Sequence, residues 1–419
     1  MSSPTWSVYE GGWGEVSEET DSLPPELSLK GSGLQRVRLL KRGAQGAVYV
    51  AKDMNNNVFA VKRLFMQRSD FGIRGISENA LREVTLLSLI SKDSSQDDMN
   101  RDFGVIRLYN VVEAPYHELC LVMEMCPLDL SQLVIQKTKK LYGARILSKD
   151  PPVRCPLLAK ICVIQYLMRG ILQILKYLHD DCHIIHRDIK LSNFLVHEDG
   201  RIRLTDFGSA RLMHDTIEIS SDASSGEYTP SAIRSTIIYE APECLLGNRV
   251  YTSAIDIWAA GVVFAELLLQ QHLFKSRSEL AILSDIWKLL GTPSDDDSSA
   301  TTESSVTYLV RTEPTLPLKF PEEILPAEGL DLLQRMLELD PNKRITTSEA
   351  LSHPFLNSAD AERHCEEGRR LWQTKSQTSA RESEKSVNVG MQALCMPDDS
   401  SDECEDISEQ NEDNHYRYL

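Results

Sequence analysis

The hydrophobic period of this chain changes once, near Pro127, and that change limits the folds open to it. Before it, apolar and polar residues alternate through Val37-Arg38-Leu39-Leu40, Ala47-Val48-Tyr49-Val50 and Val58-Phe59-Ala60-Val61, the two-residue period of short strands with one face in a core. A helix is expected next, because Ala80, Leu81, Val84, Leu87 and Leu89 recur near helical spacing, and Val105–Leu108 and Leu119–Val122 supply two further strands. After Pro127 the apolar period is helical, over Leu157–His179, Ala254–Leu269, Ala281–Leu290 and Gly329–Leu337. The pattern predicts an α+β, two-lobed chain. A small antiparallel-sheet lobe with one main helix (34–124) precedes a larger, mainly helical lobe (127–356).

The flanks read differently. Residues 1–33 carry Glu10, Glu15, Glu18, Glu19 and Asp21 among Ser, Gly and Pro, with no basic residue before Lys30, and are expected to be a disordered acidic tail. Residues 357–419 are expected to be a second, largely disordered tail, because acidic residues dominate from Asp398 to Asp413. Four polar stretches, Ser91–Asp102, Lys137–Pro152, His214–Ser231 and Ser294–Ser305, have no apolar period and read as insertions. The formal net charge is −17, from 62 acidic against 45 basic residues, which argues against a general affinity for nucleic acid or for an anionic membrane. No basic region followed by an apolar run opens the chain, so no secretory leader is expected. The apolar stretch Ala259–Leu269 contains Glu266 and falls short of the roughly 20 residues of a membrane span. The nine cysteines form no Cys-x-x-Cys pair, as expected for free thiols in a reducing compartment.

The chemistry concentrates in three strings in a fixed order: His186-Arg187-Asp188-Ile189-Lys190-Leu191-Ser192-Asn193, then Asp206-Phe207-Gly208, then Ala241-Pro242-Glu243. Their order and spacing resemble the protein kinase catalytic domain over about Leu34–Leu356. The resemblance implies a bilobal kinase fold that transfers the γ-phosphate of ATP to a protein hydroxyl, with Mg2+ as the metal. Asp188 then fits the carboxylate aimed at the hydroxyl, Asn193 and Asp206 the metal ligands, and Lys190 a cation that steadies the transferred phosphate, as in serine/threonine kinases. Ala60-Val61-Lys62 resembles the family's lysine strand, so Lys62 would meet the α- and β-phosphates, with Glu83 as its partner.

The glycine-rich turn departs from that family's pattern. Lys41-Arg42-Gly43-Ala44-Gln45-Gly46-Ala47-Val48 has lysine in place of the first glycine, while Gly43, Gly46 and Val48 remain. The resemblance places Ala60, Met123 at the back wall, Glu124 and Cys126 at the hinge, and Asp129 at the ribose rim around the nucleotide. A catalytically impaired kinase fold acting as a scaffold is the alternative to an active enzyme.

Ser77-Glu78-Asn79-Ala80-Leu81-Arg82-Glu83 resembles the cyclin-contacting helix of cyclin-dependent kinases, and Asp256-Ile257-Trp258, Leu290-Gly291-Thr292-Pro293 and His353-Pro354-Phe355 resemble the same family. The likeness implies a cyclin partner on the Ser77–Glu83 helix, structural roles for Asp256 and for an Arg344–Glu243 pair, and work in nucleus and cytoplasm. It also implies a cluster of Arg82, Arg187 and Arg211 that clasps a phosphate on the activation segment, at Ser231. Ala44, Gln45 and Glu240 depart from most cell-cycle members. The Asn79-Ala80-Leu81-Arg82-Glu83 string and the Ala44-Gln45 turn are closer to the CDK-activating and cell-cycle-related branch, whose protein substrates are other cyclin-dependent kinases.

Overall fold

The computed structural model describes residues 33–42, 46–65, 67–68, 74–93, 103–114, 118–134, 155–213, 237–248, 252–292 and 312–373. Gly43, Ser231 and both ends of the chain lie outside them.

Five antiparallel strands build the first sheet: β1 (Gln35–Arg42), β2 (Gly46–Lys52), β3 (Val58–Leu64), β4 (Leu108–Ala114) and β5 (Glu118–Glu124), in the order β1-β2-β3-β5-β4. The two-residue period sorts β3. Val61 joins Leu34, Ala51, Cys120 and Val122 in a small outer cluster, while Ala60, Lys62 and Leu64 face the other way. Gly46 lies opposite Leu64, and a Cβ there would sit 2.3 Å from the Arg63 carbonyl oxygen, so this glycine is demanded by strand crossing as well as by any approach to phosphate.

Helix α1 (Glu78–Asp93) starts where the Ser77 hydroxyl accepts the Ala80 amide at 3.1 Å, and Glu78 adds a carboxylate to its first turn. Its buried Ala80, Leu86, Leu87 and Ile90 pack with Leu64, Leu121 and Met123 beneath the sheet.

The strand expected over Val105–Leu108 is displaced: β4 begins at Leu108. Upstream of it the chain is stitched to the second lobe instead. Ile106 donates to the Leu204 carbonyl at 2.9 Å and Leu204 donates to that of Gly104 at 2.8 Å. Apolar residues at Val105 and Ile106 therefore mark an inter-lobe seam, which has the composition of a strand without being one of the sheet.

The larger lobe is built on α2 (Ile161–Lys176), α3 (Ala254–Leu269), α4 (Glu279–Leu290) and α5 (Ala327–Met336), with a small sheet of β6 (Leu128–Asp129), β7 (Phe194–Val196) and β8 (Ile202–Leu204) above them. Helix α2 runs on through a wider turn to Asp181, where Phe103 stacks on Tyr177 at 3.8 Å. The stretch Ala259–Leu269 falls short of a membrane span, but by length and composition alone Ile161–Asp181 could cross a bilayer. It is 67% buried inside the molecule, so its apolar surface faces the core.

The folded region does not end at Leu356. A helix, α6, covers 359–373, within the expected tail. Ala361, Cys365 and Trp372 are buried, and the Trp372 indole donates to the Gly200 carbonyl at 2.9 Å. Gly368 lets it lie flush on the start of α2, since a Cβ there would meet the Cys162 carbonyl oxygen at 2.1 Å.

Candidate active site

The catalytic-type loop joins Ile184–Ile185 to β7 and owes its shape to one buried acid. Asp256, in the first turn of α3, accepts the His186 amide on Oδ2 and the Arg187 amide on Oδ1, each at 2.8 Å. His179 Nε2 meets the same carboxylate at 2.9 Å. Arg187 is held at φ 66°, the left-handed region that L-residues avoid at a cost of about 1–2 kcal/mol. Burial pushes the Asp256 carboxyl up, but the His179 bond, the nearby imidazoles and the His186 amide outweigh it and hold it below its ordinary value. A carboxylate therefore fixes the loop backbone.

His186 is fully enclosed, edge-on to Phe207 at 4.9 Å. Its Nε2 lies 3.1 Å from the Thr205 carbonyl and its Nδ1 accepts the Asp188 amide at 3.3 Å, a pattern that suits the neutral ring with the proton on Nε2. Burial, the largest influence, holds its pKa below the ordinary value against the pull of Asp256, Asp188 and Asp206.

Asp188 is thus aimed by backbone on both sides. Lys190 Nζ donates to Asp188 Oδ2 at 2.7 Å, and Asn193 Nδ2 donates to the Asp188 carbonyl at 2.8 Å and to Oδ2 at 3.1 Å. With its NH2 committed there, Asn193 has its amide oxygen left for a cation.

Across the cleft, Lys62 from β3 donates to both Glu83 oxygens, at 2.6 and 2.7 Å, and to Asp206 Oδ1 at 3.4 Å. Glu83 is only 1% exposed. Burial alone would lower the Lys62 pKa, but Asp206 and Glu83 raise it well above the usual lysine value. The Glu83 carboxyl is pushed up by burial and by Asp206, against Lys62. Lys62 is the first cause holding Asp206 down, to about 2, against burial, with help from Lys190 and His186. Asp206 itself is in the left-handed region, at φ 70°. Asp206 and Asn193 form an oxygen-donor pair of the kind that suits magnesium.

The other expected residues divide. Ala60 stands opposite Met123, both are buried, and Val48 stands opposite Lys62, so these four line one face. The side chain of Glu124 turns away from the Ala60–Met123 face to accept Arg203 Nε of β8 at 2.6 Å, so its carboxylate does not line the cleft. Cys126 is buried behind it, where burial and Glu124 push its thiol well up. Asp129 Oδ1 accepts the Ser131 hydroxyl at 2.5 Å and the Gln132 amide at 3.1 Å, so it caps a helical turn as well as standing at the rim. Arg82 donates to the Gly208 carbonyl at 2.8 Å, and Glu78 ties Arg82 to Arg211, which lies 3.4 Å from it. Arg344 forms a two-point pair with Glu243 at 2.7 and 3.0 Å.

The sequence reading missed Arg203, His179 and Thr205. Only Arg203 leaves a trace, as a charge between apolar neighbours in Ile202-Arg203-Leu204. The others are found by what the fold places against Asp256 and His186.

Comparison with known proteins points the same way. A family model described as "Protein kinase domain" matches residues 34–356. A solved structure described as "Structure of the CAK complex form Chaetomium thermophilum bound to ATP-gamma-S" is similar at 27% sequence identity and a TM-score of 0.60, covering 78% of this chain and 92% of that one.

Proposed function

The chain belongs to the protein kinase family, and we propose that it is an active serine/threonine kinase of the cyclin-dependent type that phosphorylates protein substrates from ATP. The observation that carries this is the pairing, across one cleft, of Asp188 in its Asp256-fixed loop with the Lys62–Glu83–Asp206 constellation. Asp188 accepts the proton of the attacking hydroxyl as its oxygen bonds to the γ-phosphorus and the bond to the β-phosphate oxygen breaks. Lys190, beside that carboxylate, places positive charge near the transferred group, and Lys62, held by Glu83, meets the phosphates that stay behind. Asn193 and Asp206 would hold Mg2+, which supplies charge to offset the phosphates.

The finer reading is a CDK-activating role, with other cyclin-dependent kinases as substrates, a cyclin against α1, and work in nucleus and cytoplasm. It is supported by the similar structure's description as a CAK complex and by Glu240, which stands where the family's Tyr-Arg-Ala-Pro-Glu string has arginine. That arginine engages a carbonyl and so sharpens demand for proline after the target residue, whereas a carboxylate cannot donate the bond.

The test is phosphate transfer by the purified full chain to paired peptides with proline or alanine after the acceptor. Transfer by the wild type and none by Asp188→Asn is expected; no transfer by the wild type would favour a kinase-fold scaffold. Similar kcat/KM on both peptides is expected from Glu240. A hundredfold preference for proline would remove the CDK-activating reading.

A further inference from the structure

The roof of the cleft carries a cation where the family's turn has glycine. A register shift in β1 between Leu39 and Lys41 brings Lys41 opposite Val48, and Val48 stands opposite Lys62 on β3. Directly opposed residues of antiparallel strands project from one face, so Lys41, Val48 and Lys62 form a single row across the roof, its ends about 10 Å apart. Lys41 is half-buried, whereas the next residue, Arg42, is exposed and lies over the Phe65 ring at 5.7 Å. The two consecutive cations thus divide, one outward and one into the cleft.

The electrostatics place the Lys41 ammonium further. Burial lowers its pKa, Asp129 and Asp206 pull it up, and Lys190 and Lys62 push it down. Asp129 in turn is pushed up by burial and held back by Ser131 and Lys41. Lys41 therefore sits in a field set by the hinge-side acid at one end of the cleft and by the metal-type acid and both site lysines at the other. Asp129 and Asp206 offset part of the repulsion that Lys62 and Lys190 exert on Lys41, and the phosphates of a nucleotide in the cleft would offset more of it.

Resting on the kinase reading of this cleft, we propose that Lys41 is a nucleotide-phosphate-binding residue, a second roof cation that meets the phosphates of ATP alongside Lys62. The contact is selective: it recognises phosphate, not adenine or ribose.

The experiment is calorimetric titration of the full chain, wild type and Lys41→Gln, Lys41→Gly and Lys41→Arg, with ATP, ADP and adenosine. Lys41→Gln and Lys41→Gly should each weaken ATP and ADP binding about tenfold, the loss of one charge-assisted hydrogen bond, and leave adenosine affinity unchanged. Lys41→Arg should keep ATP affinity within about threefold, since it retains the charge. Unchanged ATP affinity in the glutamine and glycine variants overturns the proposal and leaves the kinase reading standing, as does an equal loss for adenosine. A wild type that binds adenosine and ATP equally overturns it as well, and a wild type that binds no ATP overturns both readings together.

Discussion

Asp256→Asn removes one charge, adds almost no volume, and is the sharpest probe of how the catalytic loop is held. In the native site two backbone amides, His186 and Arg187, each donate to a different carboxylate oxygen at 2.8 Å. Hydrogen bonds to a charged group contribute about 1.5–3 kcal/mol each, and together they exceed the cost of about 1–2 kcal/mol of keeping Arg187 left-handed. An asparagine amide has only one acceptor atom, so its NH2 faces one of the two N–H groups and that bond is replaced by a conflict. Losing one such bond and leaving a buried donor unpaired gives a destabilisation of about 3–5 kcal/mol and lets the left-handed turn relax. Asp188 follows Arg187 directly, so its carboxylate shifts by a fraction of the turn's movement, and a misplacement near 1 Å lowers turnover about a hundredfold. The Lys62–Glu83 pair lies within the small lobe and is untouched by the change, so KM for ATP should stay within about threefold. The assay is steady-state phosphate transfer with both substrates varied, beside a thermal melt. His179→Gln serves as the gentler companion, because its amide can still donate to Asp256; it should keep kcat within about tenfold. A kcat for Asp256→Asn within twofold of the wild type, at an unchanged melting temperature, would refute the clamp.

Two other perturbations follow from the same geometry. A chain stopped after Leu356, or Trp372→Ala in the full chain, should lose about 3–5 kcal/mol in urea unfolding, because Trp372 is 1% exposed and its indole satisfies the Gly200 carbonyl; an unchanged midpoint would mean that α6 is not part of the folded unit. His186, held below the ordinary histidine value by burial, binds its proton less readily folded than unfolded, so its contribution is full above pH of about 6.5 and is lost as pH falls below that. The stability advantage of the wild type over His186→Gln should shrink between pH 7.5 and 5.5, and an advantage that grows on acidification would refute the neutral ring.

What the sequence makes legible and what it hides have different physical origins. Lys62, Asp188, Asn193 and Asp206 can be read from the chain because the strings that carry them keep a kinase-like order and spacing whatever surrounds them. The period of Ala254–Leu269 is equally plain, since a helix buried on every side must be apolar on every side. Val105–Leu108 misleads because a seam between lobes and a strand have the same composition; only the partners of Ile106 and Leu204 tell them apart. Helix α6 hides for the opposite reason. Ala361, Cys365, Gly368 and Trp372 do recur at helical spacing, but three of the four are small, so the stripe is thin beside its charged neighbours. The smallness is itself the requirement: Gly368 lies where a single Cβ would strike the Cys162 carbonyl oxygen, so the surface of α2 accepts this helix only if its contact face is nearly bare. Gly368→Ala raises intrinsic helix propensity by about 1 kcal/mol and still should destabilise the protein, because the 2.1 Å overlap is with backbone and cannot be relieved by a rotamer change.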